Sequence, residues 1–208
     1  MAVLQNSLLD LLEEPGPRPL GACLQRTALA RGAWVDVRPA WIAGAADLFA
    51  RLLETVPWRA ERRRMYDRMV DVPRLVSFYG ERDRLPDRIL ELALEALNAQ
   101  YAAELGEPLC TAGLCLYRYG RDSVAWHGDR LGRAAREDTV VAIVSLGAPR
   151  SFLLRPAGGG PALRYELGRG DLLVMGGSCQ RTFEHAVPKT ARPAGARISV
   201  QFRAHGVR

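Results

Sequence analysis

The sequence predicts an α+β protein, mainly β: a helical and extended N-terminal half, residues 1–109, packed on a jelly-roll core, residues 110–205. Three observations carry this. Short apolar or alternating runs recur at even spacing over 112–119, 139–146, 151–155, 162–167, 171–175 and 196–203. Turns such as Gly158-Gly159-Gly160-Pro161 and Gly168-Arg169-Gly170-Asp171 separate them, the pattern of an all-β sandwich or jelly roll. Before Cys110 three segments instead carry a helical apolar period. A chain of 208 residues suits one domain with a sizeable core and is short for two.

Taken in order, residues 1–14 pattern as a short amphipathic helix, and Pro15–Pro19 alternates Pro and Gly as a loop. Trp34-Val35-Asp36-Val37 alternates like a strand. Residues 44–55 place Leu48, Leu52 and Leu53 at helical spacing, and Pro57 stops that helix. Residues 58–68, WRAERRRMYDR, are the densest basic run, with Trp58 and Tyr66 interleaved; such a run is more often a solvated face than a binding site. Residues 72–79 read as extended, bounded by Gly80. Residues 86–104 form the clearest helix, opened by Pro86 and striped by Ile89, Leu90, Ala93, Leu94 and Leu97.

Composition narrows the function classes. Hydrophobic residues at 48% and charged residues at 25% describe a soluble globular chain. No run approaches the roughly 18 apolar residues of a membrane span, so no membrane partner is expected. Asp10, Glu13 and Glu14 follow the first apolar positions, which makes a poor signal peptide, and a cytoplasmic location is expected. Cys23, Cys110, Cys115 and Cys179 show no CxxC spacing and read as reduced thiols. The charge of +6 is nearly all arginine, Lys189 being the only lysine; either a phosphate-bearing partner or compositional bias accounts for it.

Three histidines make their placement informative. His127 and Asp129 lie two apart around Gly128, so on an extended chain both side chains leave one face. His185 follows a later strand. Two imidazoles and one carboxylate occupy one face of an octahedron and leave positions open, as in non-haem iron(II) oxygenases; a three-ligand zinc site is the alternative. In the last strand Ile198, Val200 and Phe202 share one face, and Arg197, Ser199, Gln201 and Arg203 share the other. On an edge strand the polar row would face water. Facing a cavity, its arginines need anions, and a dicarboxylic acid supplies them. Tyr117 shares a face with Cys115 and Tyr119 and could bond the same carboxylate as Arg197; a rim tyrosine packed on the sheet is the other reading.

From about Val72 to Arg203 the chain resembles the AlkB family of nucleic-acid dealkylating dioxygenases. The matching pieces come in order: Pro73-Arg74, Tyr79-Gly80, Tyr117, His127-x-Asp129, Val144-Ser145-Leu146-Gly147 with Arg150-x-Phe152, Gly170-Asp171 with Met175-x-Gly177, His185, and Arg197-x5-Arg203. The resemblance implies a double-stranded β-helix core, a nucleotide-recognition lid at about 57–85 and a support helix at about 86–104. It implies iron(II) on His127, Asp129 and His185, with 2-oxoglutarate and O₂ as co-substrates. Arg197 and Tyr117 would grip the distal carboxylate of 2-oxoglutarate, with Ser199 and Arg203 completing the site. Arg74, Tyr79, Trp126 and Arg130 are the expected substrate contacts. The partner it implies is alkylated DNA, single- or double-stranded, or RNA, with lesions of the 1-methyladenine and 3-methylcytosine type, and a monomer is expected. The family carries Asn where Cys115 and Ser199 stand, and Glu81–Leu85 replaces its aromatic segment. Competing readings are an oxygenase acting on RNA, protein or a small molecule, and a catalytically silent nucleic-acid-binding protein.

Overall fold

The computed structural model describes residues 13–65, 68–128 and 133–207, and within 62–71 the backbone only. All but the end of the helix expected at 1–14 lies outside them. The described chain runs β1 (Gly16–Pro17), β2 (Gln25–Ala28), β3 (Trp34–Arg38), β4 (Ile42–Ala43), α1 (Ala45–Thr55), β5 (Arg59–Met65), β6 (Arg68–Tyr79), α2 (Arg88–Gln100), β7 (Leu109–Tyr117), β8 (Val124–His127), β9 (Val141–Gly147), β10 (Arg150–Pro156), β11 (Leu163–Leu167), β12 (Asp171–Gly176), α3 (Cys179–Thr182), β13 (Phe183–Val187) and β14 (Arg197–Ala204).

The α+β, mainly β class holds, and the closed core does not. Strands pair into an eight-stranded sheet, β2-β3-β12-β9-β14-β7-β6-β5, and a four-stranded sheet, β11-β10-β13-β8. Both are open, and no ladder among the described residues joins one to the other. The double-stranded β-helix, or jelly roll, read from the C-terminal half is therefore corrected to two facing open sheets. The reason is that the N-terminal half is not a separate layer: β2 and β3 extend one edge of the larger sheet, and β5 and β6 extend the other. The basic run that resembled a solvated face supplies β5, an edge strand in a bulged hairpin with β6. Arginine-rich edges resist pairing with other chains.

Alternation gives the larger sheet two apolar faces. Leu114, Leu116, Ala142, Val144, Leu146, Leu172, Val174, Ile198, Val200 and Phe202 bury against Leu48 and Leu52 of α1 and Ile89, Leu90, Ala93 and Leu97 of α2. The other parity, Tyr117, Val141, Ile143, Leu173 and Met175, meets Phe152, Leu154, Phe183 and Val187 of the smaller sheet. Helix α2 starts two residues later than Pro86 suggests, because Asp87 is its cap: the Ile89 N–H donates to the Asp87 carboxylate at 2.9 Å. Arg51 Nε donates to the same carboxylate at 2.7 Å and ties α1 to α2.

Candidate functional site

Cross-strand register turns the inner face of the larger sheet into a grid. Leu75 pairs with Leu116, so Arg74 stands level with Tyr117, which pairs with Arg197. The next row is Val76, Cys115, Ser199 and Ser145; the one after is Phe78, Gly113, Gln201 and Ile143; the last is Thr111, Arg203 and Val141. Opposed residues share a face. Arg74, Tyr117, Cys115, Arg197, Ser199, Gln201 and Arg203 accordingly line one pocket, about 470 Å³ with its open mouth included.

The smaller sheet forms the opposite wall. β13 and β8 pair with His185 opposite His127, and the ring centroids lie 4.2 Å apart. His127 Nδ1 sits 2.8 Å from the Ala125 carbonyl, which can only accept, so Nδ1 carries the proton and Nε2 presents its lone pair. Phe152 stacks on His185 at 5.4 Å and holds that ring from behind. Asp129 and Arg130 lie outside the described residues. Among the described residues, which do not include Asp129, no three imidazole, thiol or carboxylate groups converge on a metal-sized site.

Arg197 is the electrostatic centre of the pocket. It is 1% exposed, Nε donates to Ser145 Oγ at 2.6 Å, and neither Nη1 nor Nη2 makes a well-formed hydrogen bond. Burial holds its pKa below the ordinary arginine value, while the neighbouring Tyr117 and Cys115 favour the charge. Tyr117 is itself buried, its ring 5.2 Å from the guanidinium carbon. Burial pushes its phenol up to about 12 against the pull of Arg197, Arg74 and Arg150, so it is a neutral donor at ordinary pH. Arg74 Nε donates to Cys115 Sγ at 3.3 Å. Ser199 is engaged by Gln201, whose Nε2 donates to its carbonyl at 2.9 Å and its hydroxyl at 2.6 Å. Arg203 leans over Gly113, where a Cβ would lie 3.2 Å from Nη1.

Two expected substrate contacts are not brought to the pocket. Trp126 points to the outer face of β8, with the Arg155 guanidinium 3.9 Å over its ring. Tyr79 packs on the helix-side core of the larger sheet. The sequence reading passed over Phe78, which shares the pocket face and is 62% exposed. Its parity depends on the β6–β7 register, and only its apolar size in an extended segment could have drawn attention to it.

The donor set suits iron and a dicarboxylate. A desolvated guanidinium with two unengaged nitrogens calls for an anion with paired oxygens, and the opposed imidazoles suit a divalent transition metal. A family model described as the 2OG-Fe(II) oxygenase superfamily matches residues 79–203. The human Alpha-ketoglutarate-dependent dioxygenase alkB homolog 3 is 30% identical over 190 residues, covering 82% of this chain and 63% of that protein. The DNA oxidative demethylase ALKBH2 of Arabidopsis thaliana is 32% identical over 132 residues, covering 52% of this chain and 42% of that protein. The chain thus spans about three fifths of the length of the alkB homolog 3 relatives it matches. The solved structure of OsALKBH1 superposes with a TM-score of 0.62 at 15% identity, covering 87% of this chain and 100% of that one, a likeness of fold. With more than half its residues inside the family model and the Arg197 pocket at its centre, the chain belongs to the AlkB/2OG-Fe(II) oxygenase superfamily.

Proposed function

We propose that this chain is an iron(II)- and 2-oxoglutarate-dependent oxidative demethylase that removes N-alkyl groups from bases in DNA or RNA. The observation that carries the reading is the buried Arg197 guanidinium, unengaged at Nη1 and Nη2, facing a wall that holds His127 and His185. His127, Asp129 and His185 would hold the metal. Arg197 and Tyr117 would bind the distal carboxylate of 2-oxoglutarate, and Ser199 and Arg203 would serve the rest of it. Iron(II) bound with 2-oxoglutarate and O₂ would supply hydroxylation of an N-methyl carbon, with 2-oxoglutarate oxidised to succinate and CO₂ and the hydroxymethyl product releasing formaldehyde.

The chain's own residues supply orientation. The Ala125 carbonyl fixes the His127 tautomer, Phe152 fixes the His185 ring, and Ile143, Val141 and Val187 keep the pocket wall apolar. A methylated pairing edge is out of reach in a duplex, so the base must be flipped or the strand single. Phe78, exposed on the pocket face, is positioned to stack on a base, and the arginine-rich β5 edge would meet phosphates. The relatives, an alpha-ketoglutarate-dependent dioxygenase and a DNA oxidative demethylase, support this substrate class.

The test combines iron(II), 2-oxoglutarate and a 1-methyladenine-containing single-stranded oligonucleotide. Equal yields of succinate, formaldehyde and repaired base are expected. Succinate without formaldehyde would move the substrate elsewhere, and neither product from iron-loaded protein would remove the reading.

A further inference from the structure

Arg74 reads from the sequence as a lid residue that meets nucleic acid, and the register puts it elsewhere. It stands in one transverse row with Tyr117 and Arg197, on the face that lines the pocket. It is half-buried in the pocket wall, and burial is outweighed by Cys115, Tyr117 and Glu61, which favour its charge. Its Nε is taken by Cys115 Sγ, which fixes the plane of the guanidinium and leaves the terminal nitrogens for another acceptor. Among the described residues, which do not include Asp129, no Asp or Glu lines the pocket. A carboxylate offers about four lone-pair sites, enough to accept from two guanidiniums and a phenol together.

We infer that Arg74 is a co-substrate-binding residue: Arg74 and Arg197 flank Tyr117 and clasp one carboxylate of 2-oxoglutarate between them, with Cys115 holding Arg74 in place. This rests on the proposed co-substrate site. Arg74 meets the carboxylate, and Cys115 is a positioning residue that acts through it. The pairing is specific to a planar anion with two oxygens, so a lysine at 74, a point charge without the fork, does not reproduce it.

The test is calorimetric titration of 2-oxoglutarate into the iron(II)-loaded full chain with oxygen excluded, which reads binding without turnover. Arg74→Gln should weaken binding by about tenfold or more, as expected for a lost charged hydrogen bond, and Arg74→Lys should recover little of it. Cys115→Ala should weaken binding severalfold, and Arg74→Gln/Cys115→Ala together should be no worse than Arg74→Gln alone, because the thiol acts only through the guanidinium. Affinity for a single-stranded oligonucleotide, measured on the same proteins, should stay unchanged. The inference is overturned if Arg74→Gln and Arg74→Lys bind 2-oxoglutarate normally while Arg197→Gln does not, or if the loss appears only with the oligonucleotide. Normal binding by Arg197→Gln as well would instead overturn the co-substrate site itself. Should Arg74→Gln fail to fold, Arg74→Lys carries the same comparison.

Discussion

Replacing Arg197 by Met should separate stability from function in opposite directions. The guanidinium is 1% exposed and has one well-formed hydrogen bond, to Ser145 Oγ, with none at Nη1 or Nη2. Exchanging a poorly compensated buried charge for an apolar side chain of similar length is often neutral or stabilising by about 1–4 kcal/mol. The orphaned Ser145 hydroxyl takes some of that back, about 1 kcal/mol or more. Without ligand the variant should therefore be at least as stable as the parent, by up to about 3 kcal/mol, which for a domain of this size raises Tm by up to roughly 12 °C. With 2-oxoglutarate at a hundredfold excess over Kd, the parent gains about 2.7 kcal/mol. The variant, having lost two charged hydrogen bonds of about 1.5–3 kcal/mol each, should gain almost nothing at that concentration. Thermal melts with iron(II) present and oxygen excluded, at increasing 2-oxoglutarate, read both effects. A variant that melts below the parent without ligand, and rises as far as the parent with it, refutes the reasoning on both counts.

Phe152→Leu removes the ring stacked on His185 while filling most of its space; iron affinity should fall about tenfold, as for other lost supports of a metal-binding His, and an unchanged iron titration would show that the stacking does not orient the ligand. Phe78→Ala should weaken binding of a single-stranded oligonucleotide by about 1–3 kcal/mol in a fluorescence anisotropy titration and leave 2-oxoglutarate affinity alone; equal loss of both would place Phe78 in the co-substrate wall. Tyr117 ties stability to pH. Its phenol is pushed up to about 12 by burial in the folded chain against about 10 when unfolded, so its contribution is complete below pH 10 and is lost as pH rises toward 12. Melts across pH 9–12 should show Tyr117→Phe falling less steeply than the parent, and parallel curves would contradict the shift.

What the sequence could reveal depended on range. The Arg197–Arg203 alternation was legible because Ile198, Val200 and Phe202 claim the helix-side core and leave the polar parity for the other face. Strand β3 and helices α1 and α2 were legible from local period alone. Closure was not, since even spacing of short strands fits a sandwich and a jelly roll equally, and only edge pairing separates them. The meeting of His127 with His185 rests on the β13–β8 ladder, two short strands interrupted by an irregularity beside His185, and neither strand stands out in the sequence. Tyr79 enters through the family resemblance, and the face of Phe78 is not legible locally: a one-residue difference in parity exchanges the faces of a strand, and no local signal fixes it.

A buried guanidinium with two unengaged nitrogens persists because of where its strand sits. β14 is central in the larger sheet, paired along its length with β7 and over Arg197–Arg203 with β9. Arg197 cannot turn toward water without breaking those ladders or expelling Ile198 from the helix-side core. The cost of desolvation is thus carried by the sheet, and an anion entering the pocket recovers it. The histidine wall is built differently: β8 is an edge strand with one neighbour, and the register shifts beside His185. His185 itself stands on β13, held by β10 on one side and β8 on the other, so of the two imidazoles only His127 is carried by an edge strand. On the proposed function, the larger sheet would set which anion fits, and the β8 edge would let His127 adjust to a metal without disturbing that choice.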